Sequence, residues 1–557
     1  MPPTSLAQML ATSSRPTSGA LAMLIALVLT VWVPPVKAQT TGSEPTALPE
    51  AAAGEAEATD HPKSLDQRIN DFMEPATERL FGLVFFNVYE SRRQNAEGDP
   101  LFVVPFILVW LGGAAVFLSI YFRFPNIRFF SLALRTVRGR YSKPDDPGEI
   151  THFQALSAAV AATVGLGNIA GVAIAIGLGG PGAAFWMVLM GLLAMSVKFA
   201  ECTLGVKYRQ IGKDGRVHGG PMLYLTRGLA ERGMGALGRF LAVIFAVLCV
   251  GAAFGGGNMF QVNQACDQLI AVTGGEGSFF SDHRWVFGTL IAVLVGAVIL
   301  GGITRIARVT AKLVPFMAIL YVIGCLVVLG THFTAIPETM VLIVRSAFAP
   351  DAAFGGLIGC LLLGIRRAVF SNEAGIGSAP IAHAAVRTRH PASEGVVALL
   401  EPFVDTVIIC TMTALVIVIT GSYSGEAGDG IAMTSHSFGT VVPWFPYVLS
   451  AAVILFALST LISWSYYGQQ AWKFLFGHSK RTDLIYKLVF CCVIVVGSAM
   501  ELGQVIDFSD GMLLGMCFPN LVGVFLLLPV IKKELEKFLQ HSRKVDAEIL
   551  ARRGHSG

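Results

Sequence analysis

Residues 153–178 read FQALSAAVAATVGLGNIAGVAIAIGL, and residues 354–386 read FGGLIGCLLLGIRRAVFSNEAGIGSAPIAHAAV. Both stretches are apolar and exceed the roughly 20 residues that a helix needs to cross a bilayer. Each is also interrupted at its middle. The first holds Gly165-Leu166-Gly167-Asn168 and the second Ser371-Asn372-Glu373-Ala374-Gly375-Ile376-Gly377. Glycines and polar side chains at bilayer depth unwind a helix and free backbone N–H and C=O groups. Hydrocarbon cannot satisfy those groups, so they must face protein, a cavity or a ligand. Two such breaks, 207 residues apart from Asn168 to Gly375, point to a transporter built from inverted repeats with its site at the membrane midplane.

The rest of the chain fits a polytopic helical membrane protein. Of 557 residues, 54% are hydrophobic and only 14% charged, with a mean hydropathy of +0.64; soluble domains carry about 25% charged residues. A net charge of +4 is too small to suggest a nucleic-acid partner. The nine cysteines all lie in or beside apolar runs without metal-ligand spacing, which makes them small buried residues. At the N-terminus, Arg15, an apolar core from Gly19 to Val33 and the small residues Val36 and Ala38 read as a signal peptide over 1–38, with an uncleaved anchor as the alternative. Residues 39–100 hold 12 acidic and 5 basic residues. Within this extracytoplasmic segment, 39–62 reads as disordered, and 64–95 has helical periodicity suited to the membrane surface.

Eleven spans follow, at about 101–123, 154–178, 181–207, 237–270, 284–303, 309–330, 353–386, 394–421, 443–474, 483–501 and 508–531. Gly179-Gly180-Pro181-Gly182 divides the second from the third. Lys and Arg alternate sharply between the two sets of loops. The loop 123–150 carries Arg123, Arg128, Arg135, Arg138, Arg140 and Lys143, and the loop after 207 carries seven more, Lys207 to Arg239. The opposite loops have only Arg284 and Arg345. The positive-inside rule then places the N-terminus outside and the C-terminus, with its basic tail 532–557, in the cytoplasm. With 101–123 set apart as an extra N-terminal helix, the ten-helix core 154–531 divides five plus five. Each half opens with a broken helix, and the halves have inverted topology.

The polar groups inside the spans are the candidate chemistry. An unwound turn followed by a half-helix aims free N–H groups and a positive dipole end into the core, which suits a carboxylate. Carbonyls just before the break suit a cation. The second break adds Glu373, Asn372 and two glycines, including Gly375. Arg366, Arg367, Glu401, Asp405, Lys198 and Glu201 are costly in a span and read either as a buried ion-pair network or as transport machinery. Among these ionisable residues Glu373, at the break, is the best functional candidate. Glu401 and Asp405, four residues apart, are expected on one helical face, and Lys198 and Glu201 as a pair. Asn258 and Gln261, three apart, are expected to face one cavity or to bond between helices. Ser459-Thr460 can bond back to their own helix, or add oxygens to a sodium site completed by carbonyls of the first break.

Several of these runs together resemble the alanine or glycine:cation symporter family. They are Gly165-x-Gly167-Asn168-Ile169-Ala170-Gly171, Gly179-Gly180-Pro181-Gly182-Ala183, Lys198-Phe199-Ala200-Glu201, Phe370-Ser371-Asn372-Glu373-Ala374-Gly375-Ile376-Gly377, Glu401-Pro402-Phe403-x-Asp405 and Trp464-Ser465-Tyr466-Tyr467-Gly468. The resemblance covers about 100–535. It implies an all-α LeuT-type core with one extra helix, and sodium-driven, sometimes proton-driven, uptake of small neutral amino acids. By position, it implies a substrate carboxylate held at Gly165, Gly167 and Asn168, a pocket lined by Gln261 and Trp464, and a Na⁺ held by Ser459, Thr460 and carbonyls near Ala161 and Val164. Members often carry Thr between the two glycines; this chain has Leu166, which bears on the substrate. The expectation is therefore a multi-pass protein of the bacterial inner membrane. It is not an enzyme, having neither H-E-x-x-H nor G-x-S-x-G, and it needs no cofactor beyond Na⁺ as coupling ion. Its function is symport of alanine or glycine by alternating access. A proton-coupled carrier and an amino-acid sensor of the same architecture are the alternatives. Oligomeric state is not legible.

Overall fold

The computed structural model describes residues 75, 77–92, 100, 102–212, 215–348, 356–424 and 430–554. The expected leader and the acidic stretch through residue 74 lie outside them.

Each expected span carries a helix. They are α1 Phe106–Tyr121, α2 His152–Thr163 with α3 Ala170–Gly179, α4 Gly182–Lys207, α5 Gly235–Val272, α6 Arg284–Ile299, α7 Gly302–Thr331, α8 Ile336–Phe348 between spans, and α9 Gly356–Asn372 with α10 Ala379–His383. After these come α11 Pro391–Ile419, α12 Ile431–Val441 between spans, α13 Phe445–Phe476, α14 Lys480–Ala499, α15 Leu502–Leu526 and α16 Leu528–Gly554. Seven of these are long and apolar enough to cross a membrane; the pair α2 and α3, bent by 59° across the first break, makes an eighth. Phe106–Tyr121 and Arg284–Ile299 are shorter apolar helices.

Local sequence explains the ends. α2 begins in a capping box: Thr151 Oγ1 accepts from the Gln154 N–H, and Gln154 Oε1 from the Thr151 N–H. It stops at Val164, before the glycine. α5 loosens into one π turn at its glycine triplet, Gly255–Met259, and α11 into a longer one, Phe403–Cys410. Such turns add a residue and rotate the side chains that follow.

α4 lies at the centre and is buried along most of its length. Small residues let its neighbours approach it: Gly191 faces Thr406, Gly205 faces Pro380, and Gly364 of α9 faces Trp186 and the Ala183 carbonyl. The outer faces of α6, α7 and α14 expose Val293, Phe316, Ile319 and Leu488, as a lipid-facing surface should.

Two peripheral pieces pack against the core. The described part of 64–95, expected on the membrane surface, lies against α15. A helix over 77–84 sets Leu80 against Gly511 and Val84 against Gly515 of α15, and Phe81 and Phe85 both lie against the Arg366 guanidinium, 5.2 and 4.9 Å away. A hairpin, β1 Asn87–Glu90 with β2 Val103–Pro105, then leads into α1. The basic tail forms the helix α16. It is tied to the face that carries the Lys/Arg-rich loops by Lys207–Glu534 (2.9 Å), Arg135–Asp546 (2.9 Å) and Arg140–Asp546 (2.8 Å).

Candidate functional site

Gly165 follows α2 and has no side chain because there is no room for one. A β-carbon there would sit 3.0 Å from Gln261 Oε1 and closer still to Thr460 Oγ1. The Leu166 N–H donates to Gln261 Oε1 (3.1 Å), and Gln261 Nε2 donates to the Gly256 carbonyl (2.9 Å). Asn168 Oδ1 accepts from the Gly165 N–H (2.9 Å) and so pins the turn. The freed main-chain groups of the break are thus engaged by α5 and α13.

At the second break Glu373 has φ +57°, Gly375 +91° and Gly377 +82°. A left-handed glutamate is uncommon outside strained functional segments. The turn directs its carboxylate at α13: Oε1 accepts from Trp464 Nε1 (2.7 Å), and Oε2 from the Ser378 hydroxyl. Asn372 Oδ1 accepts from the Ala374 N–H (3.0 Å), stabilising the unwound main chain.

The breaks are tied together. Asn168 Nδ2 lies within bonding distance of Ser371 Oγ (3.0 Å), the Asp405 carbonyl (3.1 Å) and Asp405 Oδ1 (2.6 Å). Ser371 and Thr406 hydroxyls both donate to Asp405 Oδ2 at 2.7 Å. Asp405 sits in the π turn of α11, and that turn overrides the expected shared face with Glu401. Glu401 instead meets Lys198 (3.0 Å) and, at 3.5 Å, His383. Lys198 therefore pairs across helices rather than with Glu201, which accepts from Asn520 Nδ2.

Between the breaks lies a cavity of about 10 Å³, walled by Gly167, Gln261, Phe370, Glu373, Thr460 and Trp464; that is room for about one water. A cleft of about 550 Å³ opens on the Lys/Arg-rich face and reaches inward to Tyr466, two residues from Trp464. Gly257 allows Trp464 its place, since a β-carbon there would overlap the indole.

The structure thus brings Gly165, Leu166, Gly167, Asn168, Gln261, Glu373 and Trp464 together. Gly375 lies apart: its carbonyl accepts from Asn520 Nδ2 (2.8 Å), and its Cα faces Leu111. Of the expected ion ligands, Thr460 Oγ1 donates to the Ala161 carbonyl (3.2 Å), and Val164 is buried at the end of α2. Ser459 Oγ bonds back to Phe456 of its own helix (2.8 Å). Asn258 takes the other expected course, a bond between helices: its Nδ2 donates to the Phe490 carbonyl of α14 (2.9 Å). Phe370 was not singled out as a lining residue, although it stands one turn before Glu373 in the quoted motif.

A multi-pass helical protein with broken helices meeting at a buried polar cavity is a secondary transporter by architecture. The chain belongs to the sodium:alanine symporter family, whose model matches residues 93–551. It is 39% identical to the sodium/alanine symporter AgcS of Methanococcus maripaludis over 438 residues, covering 78% of this chain and 94% of that protein. It is 33% identical to the probable sodium/glutamine symporter GlnT of Bacillus subtilis, covering 78% and 88%. Among solved structures, MhsT in complex with L-phenylalanine aligns with a TM-score of 0.49 at 15% identity, over 68% of this chain and 88% of that one. The protein is a cation-coupled amino-acid symporter, a membrane transporter and not an enzyme.

Proposed function

We propose that this symporter moves a small neutral amino acid, alanine or glycine, across the bacterial inner membrane into the cell together with Na⁺. The observation that carries the reading is the narrow cavity between the two breaks. Phe370, Trp464 and Gln261 close around it, and a Cβ at Gly165 has no space. A large side chain does not fit without rebuilding three walls; hydrogen or methyl requires the least widening. The main chain of Gly165, Leu166 and Gly167 would take the carboxylate in place of the bonds it now makes to Gln261 and Asn168. Glu373, opposite, would face the ammonium group.

The coupling ion would sit where Thr460 Oγ1 now touches the Ala161 carbonyl. Rotation of Ser459 away from Phe456 and the carbonyl of Val164 would complete an oxygen shell, the donor type that hard cations prefer. Because α2 supplies the ion's carbonyls and α13 its hydroxyls, the ion fastens together two elements that line the site. Amino acid and ion then each favour the arrangement the other needs, which is coupling. The Lys/Arg asymmetry of the loops supports a cytoplasmic location for the cleft that leads to Tyr466.

Uptake of radiolabelled alanine and glycine into proteoliposomes tests this, with an inward Na⁺ gradient imposed alone. Accumulation should follow the gradient and collapse in Gly165→Ala. Equal accumulation with and without the gradient would refute sodium coupling, and no accumulation of either solute would refute the substrate assignment.

A further inference from the structure

A line of titratable side chains, none used by the site above until its last member, runs from the Lys/Arg-rich face to the second break. Ser142, half-buried in the loop before α2, pairs its Oγ with His152 Nε2 at 2.7 Å. His152 Nδ1 meets Glu394 Oε2, and Glu394 Oε1 meets His383 Nδ1 at 2.5 Å. His383 Nε2 stands 3.5 Å from Glu401 Oε2, and Glu401 Oε1 binds Lys198 Nζ at 3.0 Å. Lys198 is within electrostatic reach of both Glu201 and Glu373, and Glu373 borders the cavity through Trp464. His152, Glu394, His383, Glu401, Lys198, Glu201 and Glu373 are all 2% exposed or less. They come from α2, α11, α10, α4 and the break, so only the folded core assembles them.

Their charges do not balance without protons. Even were both imidazoles charged, Lys198 and Arg209 would bring the positive total only to four; Arg209 faces Glu394 while donating to the Ala384 and Val386 carbonyls. Against them stand five buried carboxylates: Glu201, Glu373, Glu394, Glu401 and Asp405. Cys202, Tyr224 and Tyr467 also face the group and are ordinarily neutral. An uncompensated buried carboxylate is expensive, so the cluster is built to hold at least one exchangeable proton. Two facing atoms mark where it moves: His383 Nε2 and Glu401 Oε2 make no hydrogen bond among the described residues.

We propose that this line conducts a proton between the cytoplasmic solvent and Glu401, and that its arrival there resets the charge at the substrate cavity. The inference rests on the symport reading above. The steps balance from neutral imidazoles, His152 carrying its proton on Nδ1 and His383 on Nε2. His152 gains a proton at Nε2 and gives one from Nδ1 to Glu394. Glu394 hands it to His383 Nδ1, and His383 gives its Nε2 proton to Glu401 Oε2. A neutral Glu401 no longer holds Lys198, whose ammonium then turns to the Glu373 carboxylate facing the solute. Proton occupancy and amino-acid binding are thereby linked.

The test is calorimetry of L-alanine and glycine binding to the purified full-length protein at saturating Na⁺, in buffers of different ionisation enthalpy at one pH. The dependence of binding heat on buffer should give a slope of about one proton per solute. In His383→Gln the proton uptake that accompanies solute binding, followed with a pH indicator after rapid mixing, should slow at least tenfold while binding remains. His152→Gln, which cuts the line at its mouth, serves if His383→Gln does not yield folded protein. Binding with zero slope in the native protein, or proton uptake at the native rate in the folded variant, overturns the proton line and leaves the symport reading standing. Absence of binding by both solutes would instead count against the symport reading itself.

Discussion

Asn168→Ala is the perturbation that most directly tests whether the two breaks act as one site. The side chain accepts from the Gly165 N–H and bonds to Ser371 and to both the carbonyl and carboxylate of Asp405. It is fully buried. A neutral hydrogen bond contributes about 0.5–1.5 kcal/mol, one to a charged group about 1.5–3, and an orphaned buried partner adds a desolvation penalty. Because Ser371 and Thr406 continue to serve Asp405, the terms do not add fully, and a net loss of about 3–5 kcal/mol is expected. Part of it appears as lower thermal stability in detergent. The part specific to the joined site appears as alanine uptake reduced by about 100-fold or more, at about 1.4 kcal/mol per decade. A cycle with Ser371→Ala should show coupling, the double variant losing less than the sum of the singles. Uptake within about twofold of the native protein, or strict additivity in the cycle, would refute the idea that the breaks are tied through this amide.

Other outcomes follow from the same geometry. Gly257→Ala pushes a β-carbon into the Trp464 ring; overpacking of this kind costs about 1–3 kcal/mol, so melting temperature and alanine affinity should fall together, and unchanged values would place Trp464 elsewhere. Thr460→Ala removes a hydroxyl of the proposed ion site, worth about 1–1.5 kcal/mol. The half-saturating Na⁺ concentration for uptake should rise about 5- to 10-fold, and a shift confined to the alanine KM would count against the ion site. On the Lys/Arg-rich face, His390 stacks on His541 of α16 at 4.1 Å. Burial, and after it the charge of His541, hold the His390 imidazole below its ordinary range, against the pull of Asp146 and Glu534. The unfolded chain therefore binds the proton more readily. This contribution is full above the ordinary imidazole pKa of about 6.5 and is lost as pH falls below it. Protection factors across 528–554, taken relative to the intrinsic exchange rate at each pH, should fall between about pH 7.5 and 5.5, and His390→Gln should flatten that dependence.

What was legible in the sequence was whatever depends on composition along one segment. Glycines at 165, 167, 375 and 377 in apolar runs announce unwound turns because hydrocarbon tolerates free main-chain groups only where protein answers them. Trp464 and Gln261 were legible through family resemblance. Contacts that depend on rotation between segments were not. An i, i+4 rule put Glu401 and Asp405 on one face, but the π turn over Phe403–Cys410 adds a residue and sends them to different partners. An i, i+3 rule paired Lys198 with Glu201, although a buried ammonium takes the carboxylate that packing presents, here Glu401. Nothing in the sequence joins His152, His383 and Glu394, since His152 and Glu394 are separated by 242 positions and only the fold brings them together.

The manner in which the polar groups are satisfied bears on how a leak is prevented. Several of the groups proposed for solute or ion already have a protein partner. The Leu166 N–H has Gln261, the Ala161 carbonyl has Thr460, and Glu373 has Trp464 and Ser378. At these groups, on the proposed assignment, an incoming amino acid or ion would replace bonds of similar strength. Exchange of this kind is close to neutral for a ligand that reproduces every bond and unfavourable for one that reproduces only some, because an orphaned buried group costs about 1–3 kcal/mol. At the proposed site, Na⁺ alone would separate Thr460 from Ala161 but leave the Leu166 N–H and Glu373 as they are. Amino acid alone would displace Gln261 but leave the α2–α13 contact unchanged. Together they would re-satisfy both sets, and Gly165, where an added β-carbon would meet Thr460 and Gln261 at once, is where one replacement would be felt by the other.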